Sequence, residues 1–364
     1  METTRNHVRR RRVLSVGAAL TAALALPSTR AVAHPGHPGP GTPAPPLPAE
    51  YGRGWQPLKP IGSGPRQEHA VAALGTRLYV VGGIHPLPDG TFETTGHVEV
   101  YDTRTRRWTR AAPLPVPMNH PNLAAVDGRL YVLGGLAGGA SWQALGDSFA
   151  YDPRTDRWAR VAPLPEGTER GSAAIGVHGR YVLLAGGMRT LAPVPGGLQD
   201  TVDTVSAYDV VTGRWEALPR LPEARDHVGG AVVDGVFHVL GGRDRGQENV
   251  RGEVFALDPR GRRWRTRASM PTPRGGIAAA AVGPVIYTFG GEGNPAEHTN
   301  GVFSETEAYD TVRDRWYILP SMPVPRHGTA AAAVSGTIHI PGGGTRLGGA
   351  PVDTHDAYRP RRGR

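Results

Sequence analysis

The sequence predicts an all-β fold in which six similar units close into a ring. A hydrophobic run ends in a Gly-Gly pair six times, at intervals of about 50 residues, and a single Trp recurs at a matching phase. The pairs begin at Gly82, Gly134, Gly186, Gly241, Gly290 and Gly342, and the repeated tryptophans are Trp55, Trp108, Trp158, Trp215, Trp264 and Trp316. No helical spacing of apolar residues accompanies the repeat, so strand-based propeller blades explain it best.

Each unit is predicted to contain four strands. They are a strand of small residues, a hydrophobic strand ending at Gly-Gly, a strand ending in Tyr-Asp, and a strand carrying the Trp. In the second unit these are residues 123–126, 130–133, 148–151 and 157–161. Asp127-Gly128, between the first two, is a strong signal for a hairpin turn. Small residues suit the crowded centre of a ring, so we expect the first strand to be innermost and the large aromatic residues to fill the outer gaps.

The position of Trp55 predicts how the ring closes. Trp55 precedes the first Gly-Gly pair and belongs to no complete early unit, whereas the last unit has no Trp after Tyr358. We therefore expect the segment around Trp55 to supply the fourth strand of the C-terminal blade. Such closure removes the exposed sheet edges that favour aggregation.

This order of motifs resembles the kelch family over residues 50–360. The resemblance implies a six-bladed kelch-type β-propeller closed by an N-terminal strand. It implies little about activity, because propellers serve as enzymes, lectins and adaptor modules. Galactose oxidase-like enzymes are similar kelch propellers, but their copper-radical chemistry needs a Cys crosslinked to a Tyr. The chain contains no Cys, which excludes that mechanism and any disulfide.

The N-terminal residues are predicted to direct export. Residues 1–33 combine Arg9 to Arg12, an apolar stretch of residues 13–26 and a small-residue cleavage site at Ala31-Val32-Ala33, which resembles a bacterial twin-arginine signal. The alternatives are export by the Sec route or an uncleaved anchor. The apolar stretch is too short to span a bilayer, so we expect a secreted protein.

The flanking segments also explain the net charge. Residues 34–49 are a Pro-rich linker, and residues 361–364 are a basic tail. The signal and the Arg residues after residue 358 carry +5 and +4, which account for the whole net charge of +9. A neutral propeller body gives no electrostatic reason to expect nucleic-acid binding.

The connections that lead into the innermost strands should surround the mouth of the central channel. They carry Arg and His residues that form the predicted ligand-binding set: Arg66, His69, His120, Arg170, Arg225, Asp226, His227, Arg274, Arg326 and His327. Guanidinium groups pair with carboxylate or phosphate, so convergent arginines predict a small anionic ligand, a glycan or an acidic peptide. The alternative is that each Arg and His is part of the repeat and has a structural role.

Three further interpretations concern this mouth. Asp226 and His227 are either an acid–base pair or a charge-neutralising pair. A metal shared at the axis by four histidines is a further interpretation. Their spacing fixes no coordination geometry, so we predict neither metal nor cofactor. The four are His69, His120, His227 and His327. Trp142, outside the repeat phase, either stacks on a sugar or packs on a neighbouring loop.

The leading functional prediction is a monomeric, exported module that binds a ligand or a protein through its loop face. The alternative is a carbohydrate-active enzyme similar to the bacterial N-acetylneuraminate epimerases and mutarotases, which are exported six-bladed kelch proteins. A third class is a structural or cell-surface interaction protein. Carboxylate–imidazole pairs at the channel mouth would favour the enzyme, and a flat apolar loop face would favour a protein partner.

Overall fold

The computed structural model describes residues 54–138, 141–192, 197, 199–258, 260 and 262–360. The predicted signal, linker and basic tail lie outside these residues. Within them the chain forms strands and no helix, and the strands build six blades of four antiparallel strands each. The six-bladed kelch-type propeller predicted from the repeat is confirmed.

The strands follow one another in the order that the repeat predicts. They begin with β1 (Trp55–Pro57), β2 (Ala70–Leu74), β3 (Arg77–Val81), β4 (Ile84–Pro86), β5 (Phe92–Thr94), β6 (Val98–Asp102), β7 (Arg107–Ala111), β8 (Leu123–Val126), β9 (Arg129–Ala137), β10 (Trp142–Asp152) and β11 (Arg157–Arg160). They continue with β12 (Ala174–His178), β13 (Tyr181–Ala185), β14 (Met188–Leu191), β15 (Gln199–Thr201), β16 (Val205–Asp209), β17 (Arg214–Ala217), β18 (Gly229–Val233), β19 (Val236–Leu240), β20 (Val254–Asp258) and β21 (Arg263–Arg267). The remaining strands are β22 (Ala278–Val282), β23 (Val285–Phe289), β24 (Thr306–Asp310), β25 (Arg315–Leu319), β26 (Ala332–Val334), β27 (Thr337–Pro341), β28 (Gly344–Arg346), β29 (Gly349–Pro351) and β30 (His355–Tyr358).

Each blade runs from an inner to an outer strand. The first five blades have the orders β2-β3-β6-β7, β8-β9-β10-β11, β12-β13-β16-β17, β18-β19-β20-β21 and β22-β23-β24-β25. The loops between the second and third strands add the hairpins β4-β5 and β28-β29, and β14-β15 extends the sheet of the second blade. These additions all lie on the loop face of the ring, where the sequence varies most in length.

The sixth blade closes the ring in the predicted way. Its order is β26-β27-β30-β1, and Trp55 pairs with Tyr358 across the last two strands. The Trp55 ring packs edge-on against Phe289 and Tyr358, with centroid separations of 5.4 and 5.3 Å. The C-terminal blade therefore depends on a strand from the beginning of the propeller.

The repeated tryptophans join neighbouring blades. Each indole Nε1 donates a hydrogen bond to a backbone carbonyl just beyond the outer strand of the preceding blade. The six bonds, 2.8 to 3.2 Å long, are Trp55–Pro320, Trp108–Lys59, Trp158–Ala112, Trp215–Ala162, Trp264–Pro219 and Trp316–Ala268. Because the indole buries its apolar rings and still satisfies its N–H, Trp suits this position better than Phe.

The inner strands also form a closed circle. Each lies beside the inner strands of both neighbouring blades, in the order β2, β8, β12, β18, β22, β26 and back to β2. Close approach explains the small residues there: a Cβ added at Gly230 would lie 2.6 Å from the backbone nitrogen of Ile175 in the preceding blade. This packing leaves a channel along the axis, and its end on the loop face holds the candidate site.

Candidate functional site

The central channel is a cavity of about 550 Å³ bounded by all six inner strands. Its wall is mostly apolar and built from small side chains, including Ala73, Ala125, Val232 and Ala279. Polar side chains contribute to the lining where the chain enters the inner strands: Glu68, His69, His120, Ser172, His227 and Thr329. The cavity is thus an apolar channel with one polar end, and its size is typical of small-molecule sites.

A closed ring of backbone hydrogen bonds encircles the axis at this polar end. It joins equivalent positions of the six blades, each N–H donating to the carbonyl of the preceding blade over 2.6 to 3.2 Å. The residues are Glu68, His120, Ser172, His227, Gly276 and Gly328. All six have φ between 49° and 63°. This left-handed conformation suits Gly and carries strain for other residues.

Three of the ring residues bring their side chains together at the axis. Glu68 Oε2 lies 2.9 Å from His120 Nε2, and His120 Nε2 lies 3.0 Å from His227 Nε2. Each of these three residues is more than nine-tenths buried, and all three line the cavity. Sequence analysis placed both histidines in the ligand-binding set, and the structure brings them into contact although 107 residues separate them.

Fully buried polar residues hold this cluster in place from the loop side. His120 Nδ1 lies 2.7 Å from the amide oxygen of Asn119, and His227 Nδ1 lies 2.6 Å from Asp226 Oδ1. Arg243 donates to His227 Nε2 at 3.1 Å.

Arg243 also connects the cluster to two further acidic groups. It donates to Asp226 at 3.2 Å and contacts Glu292, which in turn lies 3.2 Å from His327 Nδ1. The cluster is therefore a continuous network of carboxylates, imidazoles and one guanidinium.

The carboxylates of the network stay ionised at neutral pH. Burial alone would raise the pKa of Glu68, but the charge and hydrogen bond of His120 hold it well below its ordinary value. Burial likewise opposes ionisation of Asp226, yet His227 and Arg243 lower its pKa to about 2. The pKa of Glu292 is lowered by Arg243 and His327 against the same effect of burial. Burial and the Arg243 charge lower the pKa of His227, so this imidazole is neutral at neutral pH.

The predicted arginines do not face the channel. The side chains of Arg66, Arg170, Arg225, Arg274 and Arg326 are at most 1% exposed. Arg274 donates to Gly290 O at 2.7 Å, to Thr272 O at 2.8 Å and to Glu307 at 2.6 Å, all within its own blade. Arg326 makes the same set of bonds to Gly342 O, Val324 O and Asp356.

The remaining arginines are held in a similar way. Arg66 donates to Gly82 O, Arg170 to Thr168 O and Leu184 O, and Arg225 to Glu223. The expectation of guanidiniums crowding an open mouth is therefore corrected, because each one bonds to carbonyls or polar side chains of its own blade. A role for them in ligand binding stays a prediction, and their observed task is structural.

His69 and Trp142 are also buried. His69 Nε2 lies 2.8 Å from Pro341 O, and burial together with the Arg66 charge lowers its pKa to about 3. Trp142 begins β10 and packs with Ile84, Leu136 and Met188 rather than projecting from its loop. Its ring lies 5.5 Å from that of His120, so Trp142 helps to cover the polar cluster from the loop side.

Sequence reasoning missed Arg243 and Glu292, although the repeat contained a signal for them. Both directly follow a Gly-Gly pair, and three other blades carry Ile84, Leu136 and Met188 at the same position. A bridge from this position to the residue before the ring recurs in every blade, as in Asp226–Arg243. The position after Gly-Gly is therefore apolar in three blades and charged in the two blades that contribute Arg243 and Glu292. This difference between blades is the sequence signal for the polar network.

Comparison with known proteins agrees with this architecture. The family described as "Kelch motif" matches residues 65–115, 117–165, 169–222 and 273–323, which is more than half of the chain. The protein therefore belongs to the kelch family, whose propellers are typically protein-binding modules.

Two curated relatives are longer than the part that aligns with this chain. "Kelch-like protein terF" of Aspergillus terreus is 39% identical over 298 residues, covering 81% of this chain and 65% of the relative. "Kelch-like protein 35" of Mus musculus is 28% identical over 194 residues, covering 53% of this chain and 30% of the relative. The chain thus spans less than two thirds of the length of either relative.

A solved structure supports the fold. The structure titled "Structure of YjhT" superimposes with a TM-score of 0.67 at 17% identity, covering 82% of this chain and 95% of the other. At this identity the likeness concerns the fold alone. In the described part of the chain there is no helix of the length and apolarity that a membrane crossing requires.

Proposed function

We propose that this kelch propeller binds a small molecule in its central channel, with the polar part of the ligand against Glu68, His120 and His227. The observation that carries the proposal is the cavity of about 550 Å³, which combines an apolar wall with one end where buried polar side chains line it. Small-molecule sites typically have this composition, because apolar walls supply most of the affinity and a few polar groups fix orientation.

The charge of the cluster favours some ligands over others. Among the described residues, Glu68, Asp226 and Glu292 provide three carboxylates, and Arg243 is the one guanidinium that contacts them. The protein alone therefore favours hydrogen-bond donors such as the hydroxyls of a small glycan over a free anion. An anionic ligand would require additional positive charge at this end of the channel.

The surface gives less support to a flat protein interface. Among the described residues, the exposed large apolar side chains are Phe92, Val211, Val312 and Ile318. Phe92 lies on the β4-β5 hairpin and the others lie on the third and fifth blades, so they form no common apolar patch.

A thermal-shift screen with small sugars, sugar acids and acidic peptides tests the proposal. Ala279→Phe narrows the channel, since Ala279 lies in its wall, and should abolish the shift given by any channel ligand. Val312→Phe introduces the same side chain at a position that is 73% exposed and serves as the control. Ligands that bind the Ala279→Phe protein with unchanged affinity would place the binding site outside the channel.

A second candidate function is acid–base catalysis on a sugar. It is supported by the Glu68–His120 and Asp226–His227 pairs, which lie within hydrogen-bond reach at the polar end. Because the cluster disfavours a free anion, NMR exchange between the anomers is measured for neutral N-acetylmannosamine and for anionic N-acetylneuraminate. Magnetisation transfer should be faster for the neutral sugar and should disappear in His120→Gln. Equal exchange rates with and without the wild-type protein would rule out this activity.

We also propose that the protein is secreted, as the sequence of residues 1–33 predicts. In a bacterial host, wild-type protein should appear outside the cytoplasm, and a variant with lysine at positions 9–12 should be retained. Equal export of the two proteins would contradict the twin-arginine route.

A further inference from the structure

We propose that Glu68, His120 and His227 form a binding site for a divalent transition-metal ion at the polar end of the channel. The sequence alone predicted no metal. The inference rests on the positions of the three ligand atoms, the orientation of the two imidazoles, the charge of the network and the strain of the backbone. It does not depend on the channel ligand proposed above.

The ligand atoms have the spacing of a coordination sphere. Glu68 Oε2, His120 Nε2 and His227 Nε2 all lie within 4.8 Å of one another, with His120 Nε2 at 2.9 Å from the carboxylate and 3.0 Å from the second imidazole. Ligands at about 2.0–2.2 Å from one metal ion are themselves roughly 3–3.5 Å apart when adjacent, so only small movements are needed. Two imidazoles and one carboxylate also form a common donor set for such ions.

The hydrogen bonds on the far side of each imidazole aim its Nε2 atom at this point. Asn119 Oδ1 and Asp226 Oδ1 accept from the Nδ1 atoms of His120 and His227, so Nε2 is the nitrogen of each ring that is available to a metal ion. The Arg243 N–H occupies the lone pair of His227 Nε2, so a bound metal ion would displace this hydrogen bond. A carbonyl or carboxylate behind each ligating His is the arrangement that orients imidazoles in metal sites.

The second carboxylate oxygen of Glu68 is fixed as well. Gln67 Nε2 donates to Glu68 Oε1 at 2.9 Å, which leaves Oε2 facing the histidines. Three electron-pair donors therefore converge at the axis. A proton on His120 Nε2 or a cation among the three atoms relieves their mutual repulsion, and a metal ion takes the place of that proton when it binds.

The charge of the network points in the same direction. The described charged and titratable groups around the site are Glu68, Asp226, Glu292, Arg243, His120, His227 and His327. Three carboxylates share one guanidinium in this buried environment, so acidic side chains outnumber the permanently charged basic one. A divalent cation balances them, whereas an uncompensated buried charge is strongly unfavourable.

The backbone adds an independent argument. Glu68, His120 and His227 hold φ values of 55°, 49° and 52°, and Ser172 holds 57°, while Gly276 and Gly328 occupy the same ring position in the two other blades. Glycine adopts this conformation without strain, so the side chains at the other positions are present at a cost to stability. Strain of this kind is concentrated at functional sites. Three protein ligands would leave coordination positions open toward the channel.

Titration of the metal-free full-length protein with Co²⁺, followed by visible absorption and calorimetry, tests the site. We expect one ion per chain, with binding weakened about 100-fold or more by Glu68→Gln, His120→Gln or His227→Gln. Asn119→Ala should weaken binding about 10-fold, because it frees the His120 ring without removing a ligand. Circular dichroism and the thermal midpoint establish that each variant is folded.

Two controls separate this site from other histidines. His238→Gln changes a buried imidazole that does not line the channel and lies 3.1 Å from the carbonyl of Val236, and a double His34→Ala, His37→Ala variant removes the histidines that follow the predicted cleavage site. Both should bind Co²⁺ with unchanged affinity. Absence of binding to folded wild-type protein, unchanged affinity in the nearly isosteric Glu68→Gln variant, or loss of binding in either control would overturn the proposal. The titration contains no organic ligand, so its result is independent of the channel-binding proposal.

Discussion

Replacing Arg274 with Ala should destabilise the propeller rather than affect a ligand. The guanidinium is fully buried and donates to Gly290 O, Thr272 O, Thr288 Oγ1 and Glu307. Sequence analysis alone assigned Arg274 to the ligand-binding set, which predicts a folded variant that loses binding. The structure predicts the opposite, because the side chain never reaches the channel.

The magnitude follows from the buried ion pair. Removing one partner of such a pair costs about 3–5 kcal/mol, since the other charge is left buried and unpaired. Here the Arg274 and Glu307 side chains are 0% and 1% exposed, and two backbone carbonyls lose their donor as well. We therefore expect the free energy of unfolding to fall by at least about 3 kcal/mol, a value at the lower end of that range.

Urea unfolding followed by tryptophan fluorescence measures this loss. Arg154→Ala is the matched control, because its side chain is 81% exposed and an ion pair at such an exposed position contributes little to stability. A double variant with Arg274→Met and Glu307→Leu should recover much of the stability, since it removes both buried charges. An unfolding midpoint unchanged in Arg274→Ala would refute the structural role assigned to this residue.

Three further predictions concern the ring itself. Deletion of residues 54–60 should lower the thermal midpoint of the whole propeller, because the sixth blade loses β1; an unaltered melting curve would contradict closure by this strand. Trp158→Phe should cost about 1 kcal/mol in urea unfolding through loss of the hydrogen bond to the carbonyl of Ala112, and no change would show that this bond is dispensable. Burial lowers the pKa of His339 to about 4 and, together with the His339 charge, that of His355 to about 3. The unfolded chain therefore binds more protons, and stability should fall below pH 6.5 by about 2 kcal/mol per histidine at pH 5, a slope that should flatten when both are replaced by Gln.

The architecture was predictable because its determinants are periodic and local. Gly82 and Gly83 both have positive φ, as do the pairs beginning at Gly186, Gly241, Gly290 and Gly342. Each pair therefore marks the end of a second strand directly in the sequence. The position of Trp55 in the sequence predicted that its strand closes the ring, and Trp55 pairs with Tyr358 as expected.

The direction of the arginine side chains was not predictable from the connections alone, but the third strands held the missing information. Arg66, Arg274 and Arg326 each face a carboxylate two strands away in their own blade: Glu99, Glu307 and Asp356. The second blade has Met118 in place of the Arg and Phe149 in place of the acid, and these two residues pack in one apolar cluster. A paired substitution within the repeat is the signature of contact, so this pattern indicates a structural role before any coordinates are known.

The contacts within the polar cluster at the axis could not be predicted from the sequence. Glu68, His120 and His227 come from three different blades, and only the curvature of the ring brings their side chains to the axis. A residue type that all six blades share at one position serves the fold that they share. A cluster on one side of the axis must instead come from positions at which the blades carry different residues. Arg243 and Glu292 are such residues: both are buried, Arg243 contacts His227, and Glu292 contacts Arg243 and His327. Replacing Arg243 and Glu292 with the apolar residues of other blades should therefore preserve the ring and remove the charged groups next to His227 and His327. In this fold, the positions at which one blade departs from the repeat are thus the most informative about function.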